Sequence, residues 1–280
     1  MSYARPGSGG LDYYPCSYGT SPLIFRGPRR SLAAPYCAAL GGTETFGKFL
    51  SHPYPALLES RSALRVANFG SINAGLDTLL GDATVIEAAS GATSVILQVL
   101  PAQNLSNPFY RVHPRRNDRF IRPTSALRRL YPEVDFTAFS FTGHLIGTLQ
   151  RCGPKRFARL RAALQSTWIE RMETLLRRIA RPLTLLWLAG HAPPDDAGAA
   201  HAQRPPLVTR AMLAHATPAD GACLEIRARR AQPSQPAPGM IHPPLERAAA
   251  AALPGPEAHE RAAAALARLL APHTLSKAKG

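Results

Sequence analysis

Apolar residues in this chain gather into five short runs, Tyr36–Leu40, Leu64–Phe69, Thr93–Leu100, Leu183–Leu188 and Ala222–Arg227. None alternates cleanly with polar positions, which is the pattern of strands buried on both faces. The segments between them carry helix-like spacing, so strands and helices take turns and predict a parallel sheet covered on both sides. The clearest helix is Lys155–Ala180, where Phe157, Leu160, Leu164, Trp168, Met172, Leu175 and Ile179 form one stripe and arginines occupy the other faces. Pro154 stands at its start, and Pro182 ends it just before the fourth strand. A last helix, Glu257–Leu270, aligns Ala262, Leu266, Leu269 and Leu270.

Outside these elements the composition shifts. Residues 1–35, rich in Gly, Pro, Tyr and Ser, read as an irregular leader packed on one α/β domain spanning 36–272. Stretches crowded with Pro and Ala at 190–206 and 231–244 read as loops, and 273–280 as a flexible tail. A chain of 280 residues can enclose a core without covalent staples. Cys16, Cys37, Cys152 and Cys223 form no CxxC pair, which argues against a zinc site or a disulfide framework. No uncharged apolar run reaches the ~18–20 residues needed to span a bilayer. The segment Met1-Ser2-Tyr3-Ala4-Arg5-Pro6-Gly7 lacks the apolar run of a secretory signal, so the expectation is a soluble cytoplasmic protein with no membrane partner.

The net charge of +15 comes from 29 arginines and only four lysines. They are spread over several segments and match no nucleic-acid-binding fingerprint, so no specific nucleic-acid partner is expected. A diffuse positive field does favour anionic ligands. The densest patch is Arg115, Arg116, Arg119 and Arg122, with Phe109, Tyr110 and Phe120 nearby. If the stretch between Pro114 and Pro123 is helical, Arg115, Arg119 and Arg122 share a face able to grip phosphate, sulfate or carboxylate bidentately, while the aromatics stack on a sugar or base. A solvated charged loop paired with Asp118, Glu133 and Asp135 is the plainer alternative.

Four segments would bring side chains to the carboxyl edge of the sheet, where such folds bind ligands. They are Leu40-Gly41-Gly42-Thr43-Glu44-Thr45-Phe46-Gly47 after the first strand, Asn68-Phe69-Gly70-Ser71-Ile72-Asn73 after the second, Gln103-Asn104-Leu105-Ser106-Asn107 after the third, and Pro256-Glu257-Ala258-His259 at the last helix. Glycines after a strand let the chain turn sharply and bring backbone N–H groups near a ligand. The same letters also fit a strand, a turn and a helix N-cap at Thr43. Glu44 beside that turn is either a first-turn acid or a catalytic carboxylate.

In order and position these segments resemble the SGNH, or GDSL-type, hydrolase superfamily. The chain resembles more closely still an uncharacterised bacterial domain family of unknown function, through Phe25-Arg26-Gly27-Pro28, Gly41-Gly42-Thr43-Glu44-Thr45 and Gln103-Asn104-Leu105-Ser106-Asn107. The hydrolase resemblance implies a three-layer α/β sandwich with a five-stranded parallel sheet, flavodoxin-like in order. It implies Thr43 as nucleophile, His259 as general base, and Gly70 N–H and the Asn104 amide as the oxyanion hole. Thr43 stands where the family has Ser, and Pro256 where it has its Asp, three residues before the His. Glu257 is the carboxylate left to orient the ring. Glu44, Asn73, Gln103, Asn107, Tyr110, Arg115, Arg119 and Arg122 are the expected substrate contacts, with no metal and no cofactor. The implied activity is an esterase or acyltransferase on an anionic or carbohydrate-linked ester. The rival readings are an inactive domain of this type binding an anionic glycan or nucleotide, and a sulfuryl or phosphoryl transferase that lacks a GxxxxGK[ST] loop.

Overall fold

A computed structural model describes residues 10–195, 206–228 and 235–275. Its strands are β1 (Tyr36–Gly41), β2 (Arg65–Gly70), β3 (Ser94–Gln98), β4 (Tyr110–His113), β5 (Arg116–Pro123), β6 (Leu183–Ala189) and β7 (Ala222–Arg227). Five of them form one sheet in the order β2-β1-β3-β6-β7, every neighbour parallel. All five coincide with the apolar runs of the sequence. The strand at the third run stops at Gln98, two residues earlier than expected.

The helices are α1 (Thr43–Phe46), α2 (Tyr54–Arg61), α3 (Leu76–Leu80), α4 (Ala83–Gly91), α5 (Ser125–Leu130), α6 (Thr142–Cys152), α7 (Pro154–Ile179), α8 (Arg210–Ala216), α9 (Arg247–Ala251) and α10 (Pro256–Leu275). The pleat of the sheet sorts side chains by parity. Along β1, Tyr36, Ala38 and Leu40 join a core with Val95, Leu97, Leu185 and Trp187, covered by the α7 stripe from Phe157 to Ile179. Cys37 and Ala39 join the opposite core, where Ile96, Leu186 and Ile226 meet Tyr54 and Leu58 of α2 and Ala262, Ala263 and Leu266 of α10. Leu269, expected in the α10 stripe, is exposed. That helix also continues to Leu275, into the stretch expected to be a tail.

Residues 10–35 carry no helix or named strand. They lie on the core through buried Tyr18, Leu23 and Phe25 and one bridge between Cys16 and Phe25. Much of the two Pro/Ala-rich loops, residues 196–205 and 229–234, lies outside the described residues, as do 276–280.

The stretch 114–123 is not helical. Pro114 and Arg115 form the turn of an antiparallel hairpin between β4 and β5, so Arg115, Arg119 and Arg122 share no helix face. Tyr110, Val112 and Phe120 turn inward while Arg111 and Arg119 turn out, the period-two pattern of a half-buried hairpin; a register shift beside Val112 breaks the period, and Ile121 and Arg122 are both exposed.

Candidate functional site

β1 lies between β2 and β3, so the chain leaves its carboxyl end toward one side and later returns on the other. Such a reversal opens a crevice at the carboxyl edge of a parallel sheet. Thr43, following β1, and Asn104, following β3, both line a cleft of about 460 Å³ there, together with Glu44, Asn73, Gln103 and Asp118.

Helix α1 has four residues, too few to sustain itself. Side chains from three other segments hold it. Gln98, at the end of β3, accepts through Oε1 from the backbone N–H of Gly42 (3.0 Å) and Thr45 (3.0 Å) and from the Thr45 hydroxyl (2.7 Å). Asn68 Nδ2 donates to the Thr45 carbonyl at 2.9 Å. The buried Arg26 guanidinium donates to the carbonyls of Gly47 (2.6 Å) and Ser51 (2.7 Å), and burial pulls its pKa down to about 10. Gly47 ends the helix at φ +75°, and a Cβ there would stand 2.2 Å from Pro53 Cβ, so only glycine fits. Gln98 then spends its Nε2 on Glu44 Oε2 at 2.7 Å, which fixes that carboxylate in the cleft wall.

Thr43 is the first residue of α1, and its hydroxyl does not cap the helix, whose N-cap is Gly42. The hydroxyl instead accepts the backbone N–H of Asn73 at 3.0 Å and donates to Asn73 Oδ1 at 3.3 Å. Asn73 holds φ +61°, a left-handed conformation that Asn tolerates better than most residues, and this aims its N–H at Thr43. The Asn104 side chain accepts from the Thr142 hydroxyl at 2.7 Å through Oδ1, leaving its NH₂ without a protein acceptor among the described residues. Thr142 Oγ1 also lies 3.2 Å from the Asp118 carbonyl oxygen. Asp118 Oδ1 is buried with no hydrogen-bond partner, and burial raises the carboxyl pKa against the pull of Arg116 and Arg119.

Other expected residues lie elsewhere. Gly70 donates its N–H to Asn68 Oδ1 at 2.8 Å and packs beneath α1, where a Cβ would meet Phe46 N at 2.2 Å. Its N–H is therefore spent, and the backbone donor beside Thr43 comes from Asn73. His259 is 1% exposed in the core between α2 and α10, its Nδ1 accepting the Tyr54 N–H at 3.0 Å. Burial first, and the nearby Arg26 charge second, drop its pKa to about 3. The ring does not line the cleft. Glu257 is exposed on the first turn of α10 and lines a neighbouring cavity. Asn107 closes its own loop, with Nδ2 on the Leu105 carbonyl and Oδ1 on the N–H groups of Phe109 and Tyr110. Tyr110 is fully buried, its hydroxyl on the Gln103 carbonyl at 2.6 Å. None of Arg115, Arg119 and Arg122 lines the cleft; Arg119 reaches only its rim, stacked 5.5 Å over the ring of Phe141, a wall residue.

Gln98, Thr142 and His242 carry no site motif in the sequence, and Asp118 figures there only as a pairing partner of the loop arginines. A glutamine closing the apolar run Ser94-Val95-Ile96-Leu97 is the kind of buried polar residue that signals a fixed partner. His242 sits behind the cleft wall. The Ile241 N–H donates to the Phe49 carbonyl at 2.9 Å, and the His242 ring meets the Phe49 ring edge-on at 6.1 Å. Phe49 and Lys48 line the cleft, and the Lys48 N–H bonds back to the Thr43 carbonyl at 3.3 Å. His242 Nδ1 lies 3.0 Å from the Pro243 carbonyl, an oxygen that can only accept. That contact gives Nδ1 the donor's role.

Among the described residues no group of His, Cys, Asp and Glu is arranged to hold a metal, and no helix is long and apolar enough to cross a membrane. The family model described as "Domain of unknown function (DUF6473)" matches residues 1–274. No curated protein matches the sequence. Among solved structures the fold is similar to the lipase Lip_vut3 from a goat rumen metagenome, at 11% identity over 83% of this chain and 96% of that one; the TM-score of 0.42 is too low to bear on the site.

Proposed function

The chain belongs to the DUF6473 family of unknown function, and we propose that its cleft is the active site of an ester hydrolase or acyltransferase with Thr43 as nucleophile. One observation carries the reading: the Thr43 hydroxyl meets the Asn73 N–H at 3.0 Å in a cleft that also presents the unspent Asn104 amide. Two donors lining the cleft that holds a hydroxyl supply what an acyl-transfer site uses to hold a carbonyl oxygen as it takes on charge. The parallel order β2-β1-β3-β6-β7 supports a flavodoxin-like reading of the fold, in which ligands bind at this switch point.

In the proposed reaction Thr43 Oγ1 attacks the ester carbonyl carbon and its proton passes to a base. The carbonyl oxygen takes the electron pair facing the Asn104 NH₂, and the Asn73 N–H, which Thr43 Oγ1 holds at rest, turns to that oxygen as Oγ1 bonds to carbon and becomes a poorer acceptor. Collapse expels the alcohol, which recovers the proton, and water or an acceptor hydroxyl then releases the acyl group from Thr43. His242 serves as the base in this reading. The Pro243 carbonyl, 3.0 Å from its Nδ1, orients the ring where a carboxylate does in other triads, which leaves Nε2 to take the proton. The ring must move past Phe49 to reach Thr43.

A second reading, a binding domain without turnover, is favoured by one fact: the Thr43 hydroxyl donates to Asn73 Oδ1 and not to a base. Sulfuryl or phosphoryl transfer is the less supported reading, because Arg115, Arg119 and Arg122, which were to clamp its donor, do not line the cleft. Hydrolysis of p-nitrophenyl acetate by wild type, Thr43→Ala and His242→Ala separates the first two. The expected outcome is activity in wild type, reduced ~10³-fold or more by either substitution at unchanged thermal stability. Equal turnover in Thr43→Ala ends the esterase reading, and no turnover in wild type moves the assignment to the binding domain.

A further inference from the structure

A carboxylate oxygen buried without a partner calls for a donor that the protein itself does not supply. Asp118 Oδ1 is such an atom, on a residue lining the cleft that holds Thr43. An ionised carboxylate can only accept, and leaving it unpaired in a low-dielectric wall is costly. The other carboxylate of the cleft, Glu44, already accepts from Gln98. The unmet demand therefore belongs to Asp118.

We propose that Asp118 selects the substrate by accepting a hydrogen bond from a hydroxyl group, and that the substrate is an uncharged, polyhydroxylated ester of the carbohydrate or polyol kind. This deepens the esterase reading and rests on it. Three observations choose among ligand classes. An anion would meet two carboxylates, while the one lysine lining the cleft, Lys48, is paired with Glu246 at 3.1 Å. A cation would approach against a molecule of net charge +15. A hydroxyl suits both cleft residues, because it donates to Asp118 while accepting from the Asn104 NH₂; the Thr142 hydroxyl that donates to Asn104 Oδ1 lies 3.2 Å from the Asp118 main-chain carbonyl. Phe141, 44% exposed in the cleft wall, offers a flat apolar surface to the C–H face of a sugar ring.

The test compares three esters on wild type, Asp118→Asn and Asp118→Leu: a mono-acetylated methyl glucopyranoside, its fully O-methylated counterpart, and p-nitrophenyl acetate. Loss of a hydrogen bond to a charged group predicts that Asp118→Leu lowers kcat/KM on the hydroxylated ester roughly 10–100-fold. Asp118→Asn, which keeps an acceptor oxygen and the shape, loses less. p-Nitrophenyl acetate has no hydroxyl to lose, so both variants lose less on it, and the preference for the hydroxylated ester over p-nitrophenyl acetate is what falls. Equal losses on all three esters, or a wild type that prefers the O-methylated sugar, overturn the proposal. If no ester is cleaved, the esterase reading fails by itself, and the same proteins are titrated with methyl glucopyranoside by saturation-transfer NMR. Binding by wild type that Asp118→Leu abolishes upholds the role of Asp118, and absence of wild-type binding overturns it.

Discussion

Asn73 shows how one residue can serve twice, since its left-handed backbone aims an N–H at Thr43 while its side chain receives the Thr43 proton. Asn73→Gly keeps the conformation and frees the hydroxyl from its side-chain acceptor, so ester turnover should persist or rise. Asn73→Val keeps neither, because a β-branched residue pays ~1–2 kcal/mol to hold this φ. Kinetics and melting of the two variants side by side check this, and loss of activity in Asn73→Gly would show the side chain to be essential. His259 carries a prediction of another kind. Its folded pKa of about 3 lies below the ordinary value of 6.5, so the neutral ring is favoured by folding. That stability is fully present above ~6.5 and is lost at ~1.4 kcal/mol per pH unit as pH falls toward the folded pKa. Urea unfolding at about pH 7 and about pH 5 should show wild type losing ~2 kcal/mol more than His259→Asn, which retains an acceptor for the Tyr54 N–H. A histidine opening a helix looks the same in sequence whether it faces a cleft or a core; only the packing of α2 against α10 decides.

At the level of elements, the hairpin β4–β5 holds the site in place through Asn117. Its Oδ1 accepts from the N–H groups of Gly75 (2.9 Å) and Thr78 (3.0 Å) and from the Thr78 hydroxyl (2.8 Å), and its own N–H donates to the Asn73 carbonyl at 3.0 Å. Asn117→Ala strands two buried backbone donors and should cost about 3 kcal/mol. At 2–4 °C per kcal/mol for a domain of this size, that is a fall in Tm of roughly 6–12 °C. The backbone N–H that Asn117 gives to the Asn73 carbonyl survives in this variant, so turnover per folded molecule should stay close to wild type. A melt unchanged from wild type would contradict this account of the hairpin. This element was also the least legible one. The sheet strands announced themselves as apolar runs, and α7 as a stripe, because burial on both faces or along one face leaves a periodic mark. The arginines at 115, 119 and 122 have helical spacing by accident, while the inward Tyr110, Val112 and Phe120 carry the true period of two. The turn of the first motif was readable through Gly47, whose positive φ favours glycine, but of the residues clamping it Gln98 lies 53 positions from Thr45 and Arg26 lies 21 from Gly47. No local pattern links such distant partners.

Over the whole molecule the charge and the cleft disagree in sign. The surface carries a net +15, almost all of it arginine, whereas the cleft presents Glu44 and Asp118 and pairs its lysine. Long-range attraction between exposed charges is screened within ~10 Å at 0.1 M salt. A process driven by the surface field must therefore weaken as salt rises, and one driven by hydrogen bonds inside the cleft must not. Two measurements on the same preparation separate them. Retention on an arbitrary DNA duplex should be detectable at low salt and vanish by about 0.2 M, with no preference for sequence, as counterion release dictates for a basic surface without base-reading side chains. The kcat/KM for a neutral ester should stay within about twofold over that range, because neither the Thr43–Asn73–Asn104 cluster nor Asp118 needs the field to engage an uncharged substrate. A steep decline in ester turnover with salt would instead mean that charge brings the substrate in. The ligand would then be anionic, and the rim arginine stacked on Phe141, Arg119, would be the first residue to replace.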